Sequence, residues 1–106
     1  MNYYLYPSNL NKYKFVIKFI NEKTKRVNTI HFGAAGYDDF TITNDKKQKE
    51  MYQTRHQTDN INDLSYSGAW AWWLLWNKKS IEASIRDMEK RFKINIKHQW
   101  GQRQSS

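Results

Sequence analysis

Cysteine is absent from the chain, which removes disulfides, thiolate zinc sites and cysteine nucleophiles together. Long apolar runs are missing as well: the longest, Ala69 to Trp76, falls far short of the roughly 20 residues that a membrane-crossing helix needs. The opening Met1-Asn2-Tyr3-Tyr4-Leu5-Tyr6-Pro7 has neither a basic leader nor an extended apolar stretch, so no secretory signal is expected. No Asn-x-Ser/Thr sequon occurs, in keeping with an intracellular protein. Acidic residues are scarce, 10 against 18 Lys and Arg, which leaves a formal charge of +8. That imbalance makes nucleic acid the first partner to consider, ahead of an anionic membrane surface or an acidic protein.

What the chain has in surplus is aromatic side chains, 16% of its 106 residues. A core of few, large side chains is expected, which argues against disorder. The length suits a single small domain, residues 1–106, with frayed ends at about 1–10 and 99–106. No internal repeat is present, and low complexity is confined to the serine-tipped tail.

Alternation marks the first elements. Tyr13, Phe15, Ile17 and Phe19 fall on one side of an extended run and Lys12, Lys14 and Lys18 on the other. A polar break at Asn21–Lys25 separates this run from Arg26–Phe32, so a β-hairpin is expected, its outer face a basic strip to which Arg26 adds. Gly33-Ala34-Ala35-Gly36 reads as a tight exit from the sheet; an anion nest is the weaker reading, because no helix follows directly. Tyr37–Ile42 reads as a turn into a short third strand. Asp45 with Gln48 three residues later forms a capping-box pattern, which starts a helix to about His56 whose thin apolar side places it at the surface. Thr58–Ser67 is a polar loop pinned by Ile61, Leu64 and Tyr66.

Four tryptophans then occupy seven positions, Trp70 to Trp76. On a helix Trp72, Leu75 and Trp76 share one side while Trp70, Trp73 and Leu74 spread over the other, so the segment is apolar nearly all round and demands burial. From Ser80 the residues Ile81, Ile85, Met88 and Phe92 form the stripe of an amphipathic helix, with Glu82/Arg86, Asp87/Arg91 and Glu89/Lys93 as i,i+4 pairs opposite. Ile94–His98 alternates and suits an edge strand. Trp72, Trp73 and Trp76 are expected in the core against the sheet face of Tyr13, Phe15, Ile17 and Phe19; Trp70 and the distant Trp100 are expected to be free for a ligand.

The strand and loop Thr29–Thr41, the pair Arg55-His56, and Trp72–Lys78 with Ser84-Ile85-Arg86-Asp87 together resemble a small uncharacterised family encoded by giant DNA viruses. The resemblance runs from about Lys12 to Ile96. It implies a large DNA virus as source, with the host-cell cytoplasm or the virion as location and viral proteins among the partners, and it carries no activity.

Three functions compete. A metal-dependent nuclease-like site would gather His31, Asp38, Asp39, Arg55 and His56, yet nothing fixes these at a known ligand spacing. A structural or adaptor protein of a virus particle or factory would use the aromatic surplus at an interface. The preferred reading is a small basic protein, not an enzyme and without a cofactor, that associates with nucleic acid largely without sequence specificity. Its contacts would be Lys12, Lys14, Lys18, Arg26, Arg55, His56, Lys78, Lys79, Arg86 and Lys90. No helix-turn-helix, zinc-finger or aromatic RNA-binding signature is present to add base readout. The fold class expected is α+β: an N-terminal antiparallel hairpin or three-stranded sheet packed against two C-terminal helices, with one further surface helix.

Overall fold

The hairpin forms where its alternation predicts it. In the computed structural model of the chain, which describes residues 1–98, β2 (Tyr13–Ile20) and β3 (Val27–Ala34) pair antiparallel. Their turn is organised by Asn21, whose side-chain oxygen accepts the backbone N–H groups of Lys23 and Thr24. Lys25 adopts the left-handed conformation at φ 61° to close it.

The sheet does not end there. β1 (Asn2–Pro7) pairs antiparallel with β2, and β4 (Asn95–His98) pairs parallel with β1, giving four strands in the order β3-β2-β1-β4. The expected fraying of residues 1–10 is thereby corrected: β1 is an interior strand, and its Tyr3 and Leu5 are 6% and 0% exposed. The alternation was hard to see because tyrosine occupies both faces. An amphipathic ring reads alike whether it is buried at Tyr3 or turned outward at Tyr4 and Tyr6. The edge strand expected at Ile94–His98 is β4. The predicted fraying of 99–106, and Trp100, lie outside the described residues.

The third strand expected at Tyr37–Ile42 is instead a single helical turn, α1 (Phe40–Thr43). Asp39 caps it, accepting the N–H of Thr41 at 2.9 Å and the Thr41 hydroxyl. This local cap outweighs the β-propensity of Thr41 and Ile42. α2 (Lys46–Arg55) starts as predicted, with the Asp45 carboxylate accepting from the N–H groups of Lys47 and Gln48, and it has no fully buried residue.

The tryptophan segment is neither one helix nor uniformly α. Ser67–Trp70 is α3, and Ala71–Leu75 continues it as a π-helical turn. Hydrogen bonds from i to i+5 advance each residue by a smaller angle than the α-helix does, so the faces expected from 3.6 residues per turn are lost. Trp70, expected at the surface, is 0% exposed: its ring packs 5.2 Å from Tyr3 and 6.3 Å from Phe32. Trp72, Trp73 and Trp76, expected in the core, are only partly buried around its margin. Two indoles tie down the preceding loop, Trp70 Nε1 donating to the Leu64 carbonyl and Trp73 Nε1 to that of Ile61, at 2.9 and 2.8 Å.

α4 (Ile81–Phe92) is the amphipathic helix predicted, capped by the Ser80 hydroxyl, which accepts from Ala83 N–H at 3.1 Å. Ile85 and Met88 are buried, with Ile81 and Phe92 packed beside them. The core lies between one sheet face and this helical layer: Tyr3, Leu5, Ile17, Phe19, Phe32 and Ile96 meet Trp70, Leu74, Leu75, Ile85 and Met88. The α+β class is as expected, with a mixed four-stranded sheet in place of a hairpin or three antiparallel strands.

Candidate nucleic-acid interface

Because the helices contribute their apolar residues to one sheet face, the other carries no helix among the described residues. Strand register decides what stands on it. Lys97, Tyr4, Lys18 and Thr29 are successive partners across β4, β1, β2 and β3, and so form one row. Tyr6, Val16 and His31 form the next row on the same face. Lys18, Thr29 and Lys97 are exposed and Tyr4, Tyr6 and His31 partly so, whereas Val16 lies beneath its neighbours at 4%. The Nδ1 of His31 is 2.8 Å from the Ser8 hydroxyl, and its ring lies 5.7 Å from that of Tyr13.

The basic strip expected along β2 is rearranged. Lys14 turns away from it: its amino group donates to Oδ2 of Asp39 at 2.6 Å, in an ion pair whose side chains are 16% and 3% exposed. Gly33 makes room for this, since a Cβ there would lie 2.8 Å from Cδ1 of Leu75 and 3.3 Å from Cβ of Lys14. Tyr13, expected on the buried face, is 40% exposed. Lys12 and Arg26 fall in the turns at opposite ends of the hairpin, separated by the length of an eight-residue strand, about 26 Å. Lys18 is thus the strip residue that remains in the middle of the open face.

The other basic residues belong to the helical side. Arg86 and Lys90 are exposed on α4, whose opposite stripe faces the core. Lys78 and Lys79 sit in the linker before it. Lys49, not expected to matter, donates to the Asn77 carbonyl at 2.6 Å and lies 4.8 Å over the Phe40 ring. Its pKa is lowered by burial first and then by the charges of Lys78 and Lys46, so α2 and the linker bring three lysines together. The ten candidate contacts therefore divide between two sides of the molecule.

Of the nuclease-like group, Asp38, Asp39 and Arg55 line one cavity with Lys14. His31 is engaged with Ser8 on the open sheet face, and His56 Nδ1 is 2.8 Å from Asp59. Among the described residues no three His, Asp or Glu side chains are grouped to hold a metal ion. The i,i+4 pairs of α4 are realised in part: Arg91 contacts Asp87 at 3.3 Å and lies over the Trp73 ring at 4.3 Å, whereas Glu89 accepts from the backbone N–H of Ile96. Burial raises the pKa of Asp87, but hydrogen bonds from Asn77 and Arg91 outweigh it and the net shift is downward.

Lys97, Tyr4 and Tyr6 escaped the sequence reading although their signal was present. Tyr4 and Tyr6 alternate with Tyr3 and Leu5, and Lys97 alternates with Ile96, yet only pairing of the two chain ends brings these onto one surface.

The model of a family of unknown function, DUF5754, matches residues 3–56, which run from β1 to the residue that ends α2. No curated protein and no solved structure matches the chain.

Proposed function

The chain belongs to this family of unknown function (DUF5754), and we propose that it associates with nucleic acid through the open face of its sheet, largely without sequence specificity. The observation that carries the reading is the register row Lys97–Tyr4–Lys18–Thr29 beside Tyr6 and His31. A tyrosine flanked on both sides by exposed lysines, each about 5 Å away across the sheet, offers ring surface for a base and ammonium groups for the phosphates on either side of it. The net charge of +8 favours approach of a polyanion from a distance. Stacking of a ring on a base and contact of an ammonium group with a phosphate both tolerate any sequence, which favours binding largely without sequence specificity. The resemblance to giant-virus proteins supplies a setting in which the partner is a viral genome or its transcripts.

The deciding experiment is fluorescence anisotropy of a labelled oligothymidylate, an unstructured RNA and a DNA duplex across a salt series. Affinity should fall steeply with salt and be higher for the single strands, and Tyr4→Ala should weaken single-strand binding about tenfold. Binding that ignores salt, or a Tyr4→Ala protein that binds as the parent does, would overturn the assignment.

A further inference from the structure

The cavity beside α2 is built differently from the sheet face and lies apart from it. It encloses about 560 Å³ between the loop after β3, α2 and the π-helical turn, within the usual range of small-molecule pockets. Ala71, Leu75 and Trp76 give it an apolar wall. Trp76 is held by Tyr52, the rings stacked at 4.4 Å and 6°, and Tyr52 in turn stacks on His56 at 4.2 Å. Tyr37, on the loop side, is 73% exposed although it lines the same space.

The polar groups are unevenly satisfied. Asp39 is engaged at both oxygens, with Thr41 on one and Lys14 on the other. Lys14 has three N–H donors and uses one on Asp39, while the exposed guanidinium of Arg55 makes no hydrogen bond or ion pair among the described residues. Two cations with donors to spare thus face a cavity whose remaining carboxylate, Asp38, comes from the loop side. Two costly features converge on this one place, a π-helical turn and a mostly buried ion pair, and each is an arrangement that a fold optimised only for stability tends to avoid.

We propose that this cavity binds a nucleoside monophosphate, with the phosphate at Lys14 and Arg55, the ring against Trp76 and Tyr37, and an exocyclic amine of the base donating to Asp38. The phosphate accepts charge-assisted hydrogen bonds from the two cations. The apolar wall buries the ring. Aliphatic acids would leave that wall uncovered, and cations would meet Lys14 and Arg55.

The test is calorimetric titration of the whole chain with adenosine 5′-monophosphate, with adenosine and with inorganic phosphate. The monophosphate should bind saturably, and each half alone at least about tenfold more weakly. Arg55→Ala should weaken the monophosphate about tenfold without changing the thermal midpoint, because Arg55 is exposed, whereas Lys18→Ala on the sheet should leave it unchanged. No saturable heat with the monophosphate, adenosine binding as tightly as the monophosphate, or a loss caused by Lys18→Ala and not by Arg55→Ala would each overturn the proposal.

Discussion

Lys14 and Asp39 meet at 2.6 Å with 3% of the aspartate side chain exposed, so a lysine that alternation assigns to a solvent-facing strip holds the start of α1 against β2. Removing the lysine leaves a buried carboxylate with only Thr41 for support. Lys14→Met should destabilise the protein by about 3 kcal/mol or more, whereas Lys18→Met, two turns of the same alternation away and exposed, should change stability by less than about 0.5 kcal/mol. Urea denaturation midpoints of the two variants make the comparison; equal midpoints would refute an internal role for Lys14.

Trp70 and Trp72 should separate just as clearly. Trp70 is fully buried and its indole N–H is satisfied by Leu64, so Trp70→Ala should cost about 3–5 kcal/mol. Trp72 is partly exposed and packs on Tyr52 at 6.2 Å, and its truncation should cost clearly less. Thermal unfolding followed by circular dichroism reads both.

The two glycines with positive φ after the hairpin differ in what surrounds them. Gly33→Ala meets Leu75 at 2.8 Å as well as the strain of φ 78°. Gly36→Ala pays only for φ 85°, with nothing within 4 Å, about 1–2 kcal/mol. A Gly33 variant no less stable than the Gly36 variant in denaturant would mean that Leu75 moves aside freely.

Tyr52 supplies a pH signature. Burial first, then the charge of Asp59, pushes its phenol up to about 12 from 10.0. Between those values the unfolded chain has lost the proton and the folded one has kept it, so this contribution to stability is complete below about pH 10 and disappears as pH rises toward 12. Tyr52→Phe should flatten the alkaline fall in stability relative to the parent, measured as the difference in denaturation midpoint between pH 9 and pH 11; an unchanged slope would show that Tyr52 titrates normally.

The salt dependence of nucleic-acid binding should report which side of the protein is used. Lys18→Ala and Lys97→Ala should each lower the slope of log affinity against log salt by about 1. Arg86→Ala and Lys90→Ala, on α4 and away from the open sheet face, should leave it unchanged. The reverse pattern would move the interface to the helical layer.

Much of the framework was readable because it rests on local signals. The β2–β3 hairpin, the Asp45 cap of α2 and the Ile81-to-Phe92 stripe each arise from residues close in sequence, through alternation, a side chain that accepts from N–H groups two or three residues on, and a period near 3.6. The element misread as a strand, Phe40–Thr43, also had its signal nearby in Asp39, but β-branched neighbours masked it. Of the candidate site, Lys18 was legible; its partners were not, because Lys97 and Tyr4 adjoin it only through strands from the two ends of the chain.

The sequence by itself determined that this is a basic α+β chain whose aromatic surplus forms a core, since periodicity and composition act without knowledge of neighbours. Tertiary structure alone decided which aromatics and which cations serve which purpose. Trp70 went inside and Trp72 to the margin because a π-helical turn shifted the phase of the segment. Lys14 was drawn inward because Asp39 was there to meet it. Lys97 joined Lys18 because β4 pairs with β1, a contact between residues more than 90 positions apart that no local pattern encodes.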